Sequence, residues 1–212
     1  MKTTQQPSAR TRAGKTVALV ETAVLTAIIL VMTFTPIGYL RVAGLELTLI
    51  MVPVIIGAVT RGPGVAAFLG GVFGLTSFAQ CFMGSALGTV LAAVSIPRTF
   101  VVCFVPRLLA GLLCGLVFQV CRKHDRRGGW SFVAAGVCGS LLNTALFLGA
   151  LALLFWNVQF TPDQAAALGG VDTVLKTVIG IAAGLNAPIE LVVCAVLGSA
   201  VGKGLTVALK RR

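Results

Sequence analysis

The sequence predicts an all-α integral membrane protein: a compact bundle of six transmembrane helices with both termini cytoplasmic. Three observations predict it. Hydrophobic residues make up 57% of the chain and charged residues only 11%, with a mean hydropathy of +0.99, whereas soluble domains are about a quarter charged. From Gly62 to Pro97 there is no Asp, Glu, Lys or Arg, so that stretch cannot build a water-facing surface. The charges that do occur gather in the two tails and one central run. Of the 17 basic residues, 13 fall on one side of the predicted bundle: Lys2, Arg10, Arg12, Lys15, Arg61, Arg122, Lys123, Arg126, Arg127, Lys203, Lys210, Arg211 and Arg212. Arg41, Arg98, Arg107 and Lys176 fall on the other. Positive charge is retained on the cytoplasmic side, so both termini are expected inside and the number of spans even.

Residues 1–15 are read as a cytoplasmic basic tail, with no small-residue cleavage site in the apolar run that follows. Residues 16–209 form the six-helix domain. Helix 1 is expected over Thr16–Phe34, ended by Pro36 and Gly38, and Pro36–Glu46 is a loop. Leu47–Thr60 is a second helix, short for a span. It contains Pro53, whose neighbours would have to re-satisfy the freed backbone groups. Arg61-Gly62-Pro63-Gly64 is a tight turn before helix 3, Val65–Cys81. Phe82–Pro97 is a small-residue connection of undefined form. Phe100–Cys121 is helix 4, and a charged turn leads to helix 5, Trp130–Phe155. After a polar loop at Asn157–Gly170, Asp172–Leu209 is the last helical stretch, too long for one perpendicular span.

The net charge of +11 follows this topology and carries no groove-reading geometry, so a nucleic-acid partner is not expected. The six cysteines form no CxxC, and the single histidine, His124, sits in a basic turn; buried reduced thiols are expected, with no metal or cofactor. No Walker A loop, HExxH or GxSxG is present, so the chain neither hydrolyses ATP nor carries an enzyme's motif set.

Small residues recur four apart at Ala23/Ala27, Gly70/Gly74, Gly111/Gly115, Gly180/Gly184 and Gly198/Gly202, a spacing that brings helix backbones close. For the glycine pairs internal packing is the expected use. Charged residues within spans each cost ~2.5–3.5 kcal/mol on insertion scales. Glu21 is expected to pair with a nearby Lys or Arg. Arg107, Asn143, Gln80 and Asn186 fall in the outer halves of their helices. They can line one polar pocket for a small ligand with a carboxylate, which a guanidinium grips in a bidentate fork. The alternatives are snorkelling for Arg107, a plain interhelical hydrogen bond for Asn143, solvation for Arg98, and an ion pair for Glu190.

Four stretches carry a resemblance. They are Ala23-x-x-x-Ala27; Leu47 to Gly57 with Arg61-Gly62-Pro63-Gly64; Val105-Pro106-Arg107-Leu108-Leu109-Ala110-Gly111; and Asn143-Thr144 with Asn186 and Glu190. In this order they resemble the substrate-binding S component of energy-coupling factor (ECF) vitamin transporters, most nearly the pantothenate type and less the riboflavin type. The resemblance implies high-affinity binding of a small vitamin at the outer face, with Arg107, Asn143, Gln80, Asn186, Arg98, Thr48 and Tyr39 as candidate ligand contacts and the loop after helix 1 as a lid. It implies partners as well: a transmembrane coupling subunit docking on Ala23 and Ala27, and two ATPases that drive uptake. A stand-alone carrier and a lipid-active membrane enzyme are the rival classes.

Overall fold

The computed structural model describes residues 9–35, 39–42, 45–83, 85–125, 129–156, 158, 159, 162, 192–197, 200 and 204. In chain order these form α1 (Ala9–Phe34), a hairpin of β1 (Tyr39–Val42) and β2 (Leu45–Thr48), α2 (Met51–Arg61), α3 (Pro63–Gln80), α4 (Ala86–Val94), α5 (Ile96–His124) and α6 (Trp130–Phe155), with 192–197 again helical. Among the described residues, four helices are long and apolar enough to cross a membrane: Gly14–Phe34, Pro63–Gln80, Ile96–His124 and Trp130–Phe155. The protein is therefore helical, with a single short hairpin among its described parts.

Several boundaries differ from expectation, each for a local reason. Helix 1 begins at Ala9, inside the basic tail, because Ala9–Lys15 contains no helix breaker besides one tolerated glycine. The expected loop before helix 2, together with Leu47 and Thr48 that were expected to open that helix, holds the antiparallel pair, with Tyr39 opposite Thr48 and Arg41 opposite Glu46; α2 begins at Met51. The undefined connection 82–97 contains α4. Ser85 caps it by accepting from the Gly88 N–H, the side-chain service a helix N-terminus needs. Helix 4 of the expectation starts four residues early as α5, with Pro97 in its first turn. Its φ and missing N–H cost nothing there. The same reason corrects the reading of Pro53. It lies in the first turn of α2, where the N–H has no intrahelical partner anyway.

At 11 residues and ~1.5 Å per residue, α2 is too short to cross ~30 Å of hydrocarbon. It is instead the most enclosed element, with Met51, Val54, Ile55 and Ala58 fully buried. Around it pack Leu25 and Ile29 of α1, Ala66, Leu69 and Phe73 of α3, Ala110, Cys114 and Phe118 of α5, and Phe132 and Ala135 of α6. A second cluster joins Val90 and Leu91 of α4 to Val102 of α5 and to Leu151 and Phe155 of α6. The turn into α3 needs Gly62, whose φ of 89° is left-handed and suits glycine.

The α3–α5 pair is the tightest seam. A Cβ on Gly70 would run into the Arg107 carbonyl, and one on Gly74 would lie 2.8 Å from the Phe104 Cα. From the other side, a Cβ on Gly111 would strike the Ala66 carbonyl, and one on Gly115 would come within 2.5 Å of the Pro63 Cα. Both four-residue glycine pairs thus serve internal packing, each facing the partner's backbone. The register pairs 63 with 115, 66 with 111, 70 with 107 and 74 with 103–104, so the two helices run antiparallel. On α6, Gly136 lies equally close to the backbone of Cys194 and Ala195. The pairs Gly180/Gly184 and Gly198/Gly202 lie outside the described residues.

The two ends of the bundle differ in character. At one end Glu21 of α1 accepts from Arg61 of α2 at 2.6 Å, the ion pair expected for Glu21. Beside it stand the last turn of α5, with Arg122 over the Phe132 ring at 5.5 Å, and Asp125. The Asp125 carboxylate accepts from the Ser131 N–H of α6 at 2.9 Å. At the opposite end Gln80 donates to the Thr33 carbonyl at 2.6 Å, tying α3 to the end of α1. Overpacking a tight seam costs about 1–3 kcal/mol. Gly70→Leu is therefore expected to lower the thermal unfolding midpoint in detergent by about 2–10 °C. Gly149→Ala, with nothing within 4 Å, should leave it unchanged. Equal midpoints for both variants would contradict the seam.

Candidate functional site

Arg107 is placed by the residue before it. Pro106 lies inside α5 and has no N–H to give to the carbonyl four residues back. That carbonyl belongs to Val102, and the Arg107 guanidinium donates to it through Nη1 at 2.9 Å. The guanidinium also lies over two aromatic faces, at 4.2 Å from the Phe147 centroid and 5.7 Å from that of Phe73. Each such contact is worth about 0.5–2 kcal/mol. The insertion cost of this charge is thus offset partly within the chain, by one orphaned carbonyl and two rings. Arg107 is half-buried, and its guanidinium lies against Phe73 of α3 and Phe147 of α6.

Asn143 stands one turn before Phe147 on α6, on the same face as the ring that carries the Arg107 guanidinium. Asn143 is 7% exposed, and its Oδ1 is buried with no hydrogen-bond partner among the described residues. A buried acceptor left in this state costs about 1–3 kcal/mol. The plain interhelical hydrogen bond that is the alternative for Asn143 is not seen at this oxygen among the described residues.

The other candidates are distributed differently. Gln80 spends its amide nitrogen on the Thr33 carbonyl, within a small network in which Thr33 and Thr76 hydroxyls lie 3.2 Å apart. Arg98 is exposed and donates to the Leu154 carbonyl near the end of α6 at 3.5 Å. Tyr39 and Thr48 face one another in the hairpin register; their side chains lie outside the described residues, as do Asn186 and Glu190 altogether. Ala23 and Ala27 are both exposed, on a face of α1 shared with Val20, Val24 and Val31.

Sequence reasoning did not single out Phe73 and Phe147. A signal for Phe147 exists: it follows Asn143 by four residues, hence on one face. The Val102 carbonyl was also legible, since a proline at 106 orphans it by geometry alone.

Comparison with known proteins decides what this bundle is. A family described as "ECF transporter, substrate-specific component" matches residues 17–201. The chain belongs to that family. It is accordingly a transporter subunit rather than an enzyme, and a multi-pass protein of the bacterial cell membrane. Among its relatives is the pantothenic acid transporter PanT of Lactococcus lactis subsp. cremoris, 28% identical over 141 residues, which are 62% of this chain and 72% of the relative. Another is the pantothenate transporter PanT of Leuconostoc mesenteroides subsp. mesenteroides, 28% identical over 204 residues, covering 93% of this chain and 96% of the relative.

The Pro106–Arg107 pair makes a distinct expectation for this S component. Pro106→Ala supplies the missing N–H, which then competes with Arg107 for the Val102 carbonyl. Proline in a helix interior costs about 3 kcal/mol relative to alanine. The variant should therefore unfold at a temperature several degrees higher, read by thermal scanning in detergent. A lower midpoint would mean that the guanidinium–carbonyl contact is the stronger of the two.

Proposed function

We propose that this S component binds pantothenate and delivers it for ATP-driven uptake, with Arg107 and Asn143 at the centre of its site. The observation that carries the proposal is a guanidinium seated on the Phe147 ring and, one turn from that ring along α6, a buried acceptor on Asn143 with no partner among the described residues. Pantothenate offers what the two would select. Its carboxylate suits a guanidinium, and its hydroxyl and amide groups donate hydrogen bonds, which a buried Oδ1 requires. The names of both relatives point to the same vitamin. In this reading Gln80 and Arg98 frame the site through the Thr33 and Leu154 carbonyls. Tyr39 and Thr48 belong to the hairpin that closes over it, and Asn186 completes the lining.

The proposal includes six spans with both termini cytoplasmic. The sorting of Glu21–Arg61, Arg122 and Asp125 to one end supports it, since positive charge is retained inside. It also includes the partners that the family implies, a membrane coupling subunit and two ATPases. Ala23 and Ala27 are proposed as the docking face. Their exposure supports this, because the other small-residue pairs that can be described are consumed inside the bundle.

Two experiments test these assignments. Charge-assisted hydrogen bonds contribute roughly 1.5–3 kcal/mol, and ~1.4 kcal/mol is tenfold in affinity. Arg107→Gln should therefore weaken pantothenate binding at least about tenfold by isothermal titration of the folded, purified chain. Arg107→Lys should recover part of that, since the planar fork is lost. Wild-type affinity in Arg107→Gln would refute the carboxylate role. Separately, replacing Ala23 and Ala27 together by Trp should abolish uptake in cells expressing the coupling subunits while pantothenate titrations stay unchanged. Loss of binding along with uptake would mark the pair as internal packing.

A further inference from the structure

Cys81 and Cys103 stand apart from the chemistry above. Cys81 ends α3 and Cys103 lies two turns into α5, yet their sulfurs are 3.6 Å apart, and each residue is only 5% exposed. Both are positioned by backbone contacts rather than by flexible side chains. Gly74 holds the Cys103–Phe104 backbone against α3, with the Cys103 carbonyl 3.0 Å from where a Gly74 Cβ would be. Gly88 of α4 closes over Cys81, since a Cβ there would lie 2.7 Å from its sulfur. The Cys81 thiol also donates to the Ser77 carbonyl at 3.4 Å. By contrast, the Cys114 thiol is directed away to the Ala135 carbonyl at 3.3 Å.

We infer that Cys81 and Cys103 form a reversible, buried dithiol–disulfide site that small, membrane-permeant two-electron thiol oxidants convert, stapling the end of α3 to α5. A disulfide needs an S–S length of about 2.05 Å, so the sulfurs approach by about 1.5 Å through rotation of their side chains. With an azodicarboxamide as oxidant, one thiolate adds to the N=N bond and forms an S–N bond. The second thiolate attacks that sulfur, the S–N bond breaks, and the S–S bond forms. The azo group is reduced to the hydrazine, whose nitrogens take up the two thiol protons. The closed loop runs from 81 to 103 and contains all of α4. Cys103 precedes Arg107 by one turn, so the staple sits on the frame of the candidate site without using its ligand-facing groups.

The test is limited oxidation of the purified full chain in detergent with diamide. Denaturation, alkylation with N-ethylmaleimide and mass spectrometry follow. The expected result is a protein that has lost two of its six alkylatable thiols, with one bridged peptide joining Cys81 to Cys103 and full alkylation restored by dithiothreitol. Cys103→Ser should yield no bridged product at the same dose, and the wild-type peptide map stands by itself should that variant fold poorly. A first disulfide between any other pair would overturn the inference. So would six alkylated cysteines at a dose that oxidises a control dithiol peptide.

Discussion

Backbone-to-backbone contact between α3 and α5 is the constraint from which the rest of the bundle follows. In lipid there is no hydrophobic gain from bringing two apolar helices together, so close packing and polar contacts must hold them. Gly70, Gly74, Gly111 and Gly115 allow the approach, and they do so in one antiparallel register. Once that register is set, Arg107 has no freedom along the bundle: its own carbonyl is the atom Gly70 admits. Phe73, one turn beyond Leu69 on α3, then lies within reach of its guanidinium. Cys103, on the next turn, meets Cys81. The seam therefore places the charge, one of the rings beneath it and the thiol pair in a single step.

The second constraint is electrostatic, and it is met locally. A proline in mid-helix and an arginine in a span are each costly alone. Side by side they offset one another, because the carbonyl that Pro106 leaves free at Val102 accepts from Arg107 Nη1. The arrangement holds the guanidinium over the Phe147 ring, 4.2 Å from its centroid. Asn143 is the opposite case. Its buried Oδ1 is left without a partner among the described residues, an expense that a bundle optimised for stability alone would remove. Strain of this kind gathers at functional sites, which is why the pair, rather than either residue, supports a binding role.

Much of this was legible in the sequence, and the reasons are specific. Trp130–Phe155 was read to the residue, because Gly128 and Gly129 precede it and polar residues follow. The glycine spacing announced close packing, and a carboxylate at position 21 without a stated partner announced an ion pair. What the sequence withheld were matters of tertiary placement. Phe82–Pro97 has no charge and no strong period, so α4 was invisible until Ser85 was seen to cap it. Gln80 was read as a ligand contact from its place in the outer half of its helix; nothing in sequence distance showed that Thr33, 47 residues away, would accept from its amide nitrogen. Pro53 looked like a defect because its place in the first turn depends on where the helix begins.

The contrast between α1 and the other helices shows how far one pattern can be read. Ala23/Ala27 and Gly70/Gly74 are the same signal, small residues one turn apart. On α3 the pair meets a backbone. On α1 the pair is exposed among the described residues, while Leu25, Ile29 and Thr33 on the neighbouring face are the buried positions of that helix. Among the described residues that face has no packing partner on the scale that Gly70 and Gly74 find. Alanine contributes little to helix–lipid contact that a larger apolar residue would not contribute better, so lipid alone does not call for small residues there. Small residues suit a second helix coming close, and this exposure is what supports the docking face proposed for Ala23 and Ala27.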